Sequence, residues 1–149
     1  MEADVEGPIA IHKKAVAAAT VANWMLSLAW YSVFGRTWAE LTGTPPTWEF
    51  ELDKMIIGLC FNFLMALGVA LVLRATRNEG ALRGALWGVL LTALLVLPAH
   101  SGKWTWQDKP LLLVIDTGGH LISLVASGLI IGAWTMKRNG TPMPGAQRK

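Results

Sequence analysis

Four long apolar runs set the limits on what this chain can fold into. A helix needs about 20 predominantly apolar residues to cross the hydrocarbon core of a bilayer. Residues 15–35 and 55–73 form two such runs without a single charged side chain. Residues 81–99 form a third, with Arg83 close enough to its start to snorkel to the headgroups. Residues 111–134 form the fourth, which holds Asp116 and His120. A soluble helical core would need a charged face on most helices, and the first two runs offer none. A β-barrel would need alternating residues, and these runs are continuous. The expected fold class is therefore all-α, an integral membrane bundle of four transmembrane helices.

Composition agrees. Only 15% of residues are charged, against about 25% in an average soluble domain. The 149 residues suit one domain: a tail over 1–14, a membrane domain over 15–136, and a flexible C-terminal tail over 137–149. The first run is longer than a signal-peptide core and lacks a small-residue cleavage pattern, so an uncleaved first span is expected. Cys60, the single cysteine, has no partner for an intramolecular disulfide and reads as a small buried hydrophobe.

The basic residues lie mostly between and beyond the apolar runs, as topology signals and not as a nucleic-acid surface. Lys13, Lys14, Arg74, Arg77, Arg83, Lys137, Arg138, Arg148 and Lys149 fall on one side of the expected bundle. Arg36, Lys54, Lys103 and Lys109 fall on the other. The positive-inside rule then puts both termini in the cytoplasm of a multi-pass protein of the cell (inner) membrane.

The connection after the first span begins with residues 36–41, which fit a short interfacial helix, and Pro45 and Pro46 break it. Trp48 and the acids Glu49, Glu51 and Asp53 follow. The expected loop over 100–110 carries Trp104 and Trp106. With Tyr31 they form an aromatic set on the outer side, where anchoring at headgroup level accounts for them and an aromatic-lined binding surface is the alternative.

Helices associate in lipid through close packing and interhelical hydrogen bonds. Each span carries one stripe that supplies these. The first has Thr20, Asn23, Ser27 and Tyr31, and the second Gly58, Asn62, Ala66 and Ala70. The third has Gly80, Gly84, Gly88 and Thr92. The fourth has Asp116, His120, Ser123 and Ser127, with Gly128 and Gly132 beside them. Gly84, Gly88, Gly128 and Gly132 are the candidate packing positions. At about 1.5 Å per residue, Tyr31 lies roughly 5 Å below the outer boundary, Asp116 roughly 8 Å, Ser27 roughly 11 Å and His120 roughly 14 Å. His120 thus falls between Ser27 and Asn23, and Asn62 reaches roughly the same depth as His120. The expectation is one buried hydrogen-bonded cluster of Tyr31, Ser27, Asp116, His120, Asn23 and Asn62.

Within it, Asp116 and His120 stand out. A charged residue at the centre of a membrane helix costs about 2.5–3.5 kcal/mol on insertion scales, and a spacing of four lets the two side chains touch. The pair reads either as a satisfied lock between helices or as a proton or ligand site. One histidine and one acid make a poor metal set, so no metal is expected.

The run Trp30-Tyr31-Ser32-Val33-Phe34-Gly35-Arg36-Thr37-Trp38 resembles the signature of the domain of unknown function 1761 family, small, mostly bacterial, four-span membrane proteins. Gly119-His120-Leu121 and the ending Gly128-Leu129-Ile130-Ile131-Gly132-Ala133-Trp134 are similar to that family's last span. The resemblance covers roughly residues 15–136. The chain departs from the pattern at Val33, where a proline often follows the Tyr-Ser pair, so the exit from the first span is expected to differ. The resemblance implies a membrane location and no settled activity.

Function is accordingly open between two classes. The first is a non-enzymatic membrane protein that packs with itself or in a larger complex, its support being the glycine stripes. The second is a small transporter or a proton- or ligand-binding protein built on Asp116 and His120. The chain shows no glycine-rich phosphate loop and no nucleophile elbow. No enzyme activity and no cofactor is expected. The expected partners are the lipid bilayer and a homo-oligomer or membrane complex, with no nucleic acid.

Overall fold

A computed structural model describes residues 11–44 and 52–139. The described residues are helical apart from short turns. Five α-helices follow one another: α1 over Lys13–Thr42, α2 over Leu52–Ala75, α3 over Ala81–Leu91, α4 over Leu97–Trp106 and α5 over Pro110–Asn139. A π-helical turn over Thr92–Val96 joins α3 to α4, so these two form one continuous rod. Four helical stretches are long and apolar enough to cross a membrane: Lys13–Thr42, Leu52–Ala75, Ala81–Thr105 and Pro110–Trp134.

Helix α5 is the centre of the bundle. In its apolar window 44% of residues are buried, against 17–28% in the other three spans. It packs against α1, α2 and the α3–α4 rod. The backbones of α3 and α5 come into direct contact along their glycines. A Cβ added at Gly84 or Gly128 would overlap the backbone of the other, and one at Gly88 would overlap Leu124. Gly132 meets Gly80 in the same way, and the Gly80 N–H donates to the Gly132 carbonyl at 3.1 Å. The glycine stripes of spans three and four therefore close on each other inside one chain.

The bundle has two different ends. Ala15, Val16 and Ala19 of α1, Ala66, Val69, Ala70 and Leu73 of α2, and Leu124 and Ile131 of α5 form an apolar core toward the Lys13 end. The short turn after α2 lies at this end, with Arg77 at φ 51°. The opposite end carries the polar side chains described below. Outward faces are apolar: Leu52, Ile56, Phe61, Leu64, Leu82, Leu94 and Val114 are all more than half exposed. Cys60, expected to be buried, belongs to this outward surface.

Several boundaries differ from expectation. Residues 36–42 are no separate interfacial helix. They continue α1 without a break, since nothing before Gly43 interrupts the backbone ladder and Arg36 pairs with Glu40 one turn on. Val33 sits within this unbroken helix. Gly43 then ends it at φ 71°, its N–H returned to the Ala39 carbonyl. The expected loop over 100–110 shrinks to Gln107–Lys109, because the third span continues to Trp106. Helix α5 likewise continues to Asn139, past the expected start of the tail. The tail before residue 11, the stretch with Pro45, Pro46, Trp48, Glu49 and Glu51, and the tail from 140 onward lie outside the described residues.

Candidate functional site

Asp116 lies two turns into α5 and is 8% exposed. A carboxylate in such a place needs donors, and three aromatic side chains supply them. Trp38 Nε1 donates to Oδ1 at 3.0 Å, and the Tyr31 hydroxyl donates to the same oxygen at 3.4 Å. Trp104 Nε1 donates to Oδ2 at 2.8 Å. An ionised carboxylate has about four acceptor positions, and three are taken here. The donors come from two elements, α1 and α4, so the single carboxylate ties both to α5.

Local sequence explains how the donors arrive. Tyr31 and Trp38 are seven residues apart on α1, two turns on one face, and their rings meet edge to face at 6.5 Å. Trp30, next to Tyr31, donates from Nε1 to the Ile115 carbonyl at 3.0 Å. Its ring fits over Gly118 and Gly119, where an added Cβ would lie 2.8 Å and 3.1 Å from ring atoms. Phe34 packs on Trp30 from the next turn, with centroids 4.4 Å apart. Lys109 Nζ donates to the Leu41 carbonyl at 2.6 Å and so closes the C-terminal end of α1.

Trp104 reaches Asp116 because of the π turn. Gly80, Gly84, Gly88, Thr92, Val96, His100 and Trp104 recur every four residues. In a plain α-helix each such step drifts about 40° around the axis. The wider π turn over Thr92–Val96 takes back part of that drift and keeps the later members facing α5. Gly84, Gly88, Thr92 and Trp104 are all buried. Trp104, expected at the headgroups, is 4% exposed, with Lys103 Nζ 4.2 Å from its ring centroid. The side chain of Trp106 lies outside what is described.

The expected single cluster divides. Tyr31 and Asp116 meet as expected. His120 does not bind the carboxylate: its Nδ1 lies 2.8 Å from the Asp116 backbone carbonyl. Asn23 sits about 12 Å along α1 from Tyr31 and forms a second centre, donating from Nδ2 to Ser127 Oγ at 2.8 Å. Asn23 is fully buried, and its Oδ1 has no partner. Asn62 turns back on its own helix, donating to the Gly58 carbonyl at 2.8 Å. Ser27 is half-buried and gives the carboxylate no hydrogen bond. Tyr31 and Asp116 lie at matching depth and meet, but depth alone says nothing of rotation about each helix axis.

Three of the side chains in the first-span signature, Trp30, Tyr31 and Trp38, converge on Ile115 and Asp116, next to the Gly119-His120 pair of the last. A family model described as a protein of unknown function (DUF1761) matches residues 14–132. The chain belongs to the DUF1761 family. No significant match was found among curated proteins or solved structures. In this DUF1761 chain the tryptophans, not Asn23, Ser27 or Asn62, complete the site around Asp116. The signal for them was available in the sequence: a lone buried acid needs several donors, and indole N–H groups are donors only.

Proposed function

We propose that this DUF1761 chain is a multi-pass membrane protein whose Asp116 site is an internal clamp, and that it acts as a non-enzymatic packing or complex-associated component. The observation that carries this reading is the filling of both Asp116 oxygens by Trp38, Tyr31 and Trp104. A carboxylate so occupied holds helices together and leaves little acceptor capacity for a substrate. The outward apolar surface supports the membrane setting, since contiguous exposed faces of this size are untenable in water. The basic residues at the Lys13 end of the bundle support a cell (inner) membrane orientation with both termini cytoplasmic. A small transporter or proton- or ligand-binding protein is the second reading, favoured by the half-buried imidazole of His120 beside the clamp.

The test is Asp116→Asn in the full chain, expressed in its membrane. The clamp reading expects a lower yield and a lower thermal unfolding temperature in detergent. Normal stability together with loss of a pH- or ligand-dependent phenotype would overturn it in favour of the second reading.

A further inference from the structure

His100 of α4 and His120 of α5 face each other across the helix pair, with ring centroids 5.2 Å apart and planes at 50°. Each ring is oriented by its own helix. His100 Nδ1 lies 3.0 Å from the Val96 carbonyl, and His120 Nδ1 lies 2.8 Å from the Asp116 carbonyl. A carbonyl can only accept, so both rings carry a proton on Nδ1. In a neutral ring that leaves Nε2 as the lone-pair donor, the nitrogen not engaged by the ring's own helix. A backbone carbonyl on the remote nitrogen is the orientation that metal-ligating histidines show. Val96 belongs to the π turn, a feature frequent at functional sites.

The spacing adds a second argument. Two imidazoles bound through Nε2 to one tetrahedral zinc ion, with bonds of about 2.0–2.1 Å, place their ring centroids about 5 Å apart. The observed centroid separation of 5.2 Å lies at that distance. We propose that His100 and His120 together bind a divalent transition-metal ion of the zinc class through their two Nε2 atoms. No third His, Cys, Asp or Glu side chain groups with them among the described residues. The remaining coordination positions are open to water or an exogenous ligand, so binding is weaker and more labile than at a structural four-ligand site. The proposal rests on the imidazoles and does not depend on whether Asp116 is a clamp.

The experiment is zinc titration of the purified full chain in nanodiscs, followed by calorimetry. One saturable site per chain is expected. His100→Gln and His120→Gln should each weaken it by more than about tenfold. His12→Gln, which removes the remaining histidine, should leave it unchanged, and magnesium should not compete. Nitrogen-15 histidine spectra of the unsubstituted chain provide a check that needs no variant: zinc should shift Nε2 of both His100 and His120. Absence of saturable binding, binding unchanged in either glutamine variant, or a shift in fewer than both rings would overturn the proposal.

Discussion

At the residue scale, the Asp116 carboxylate and its three donors form a graded set. Hydrogen bonds to charged groups contribute about 1.5–3 kcal/mol, and they weaken with length. Trp104 is closest at 2.8 Å, Trp38 follows at 3.0 Å and Tyr31 is longest at 3.4 Å. Phenylalanine substitutions should therefore lower stability in the order Trp104→Phe, then Trp38→Phe, then Tyr31→Phe, as read by thermal unfolding in one detergent. Asp116→Asn should cost more than Tyr31→Phe, about 2–3 kcal/mol, because its amide turns donors toward the donors already there. Tyr31→Phe removes only the hydroxyl, so no loss there beside large losses at both tryptophans would show that indole volume, not the N–H or O–H group, matters. The acid itself was legible from the sequence. Two of its three donors were harder to read, because a tryptophan at a membrane boundary is so often an anchor that its N–H is easily overlooked.

At the element scale, the same residue type has opposite roles on different helices. Gly84 and Gly128 lie backbone to backbone, whereas Gly58, Gly68 and Gly102 have nothing within 4 Å of an added Cβ. Gly84→Ala or Gly128→Ala should destabilise by about 1–3 kcal/mol through overpacking. Gly68→Ala should be neutral or stabilising by up to about 1 kcal/mol, since alanine is the better helix former. Unfolding temperatures of the three variants, measured side by side, check both signs. The π turn makes a second claim. Deleting Leu94, which is 67% exposed, should remove the residue that the π turn accommodates, restore a regular helix and leave Trp104 facing Asp116, about 1.5 Å closer along the axis. Trp104→Phe should then cost about as much in the deletion background as in the full chain, and a double-mutant cycle measures that near-additivity. Strong coupling would mean that the deletion turns Trp104 away from Asp116.

At the scale of the whole molecule, the outward faces make a prediction about the surroundings. Cys60 is the chain's one cysteine and is exposed on the apolar surface of α2. In native membranes a charged, membrane-impermeant maleimide should leave it unmodified from either side, and labelling should appear once the chain is denatured. In a cysteine-free background, single cysteines at Thr76 and Gln107 should label from opposite sides, Thr76 from the cytoplasmic one. Labelling of Cys60 in intact membranes would count against the lipid-facing assignment of α2. Labelling of both new positions from one side would reverse the antiparallel order of the spans.

The amino-acid sequence determined the number of long apolar helices, their helical character and the stripes that bury themselves, because these follow from run length and periodicity within single segments. It also marked Asp116 as a group that needs partners. Tertiary structure decided which stripes face which. The glycines of spans three and four close on each other within one chain, Asn23 finds Ser127, and Trp30, Trp38 and Trp104 turn inward. His100 meets His120 only because a π turn re-aims one helix by part of a turn. Rotation of a helix about its axis is set by the packing of every neighbour at once. Depth along the axis is set by counting residues, so matching heights placed Asp116 near Tyr31 without revealing the two indoles that hold it.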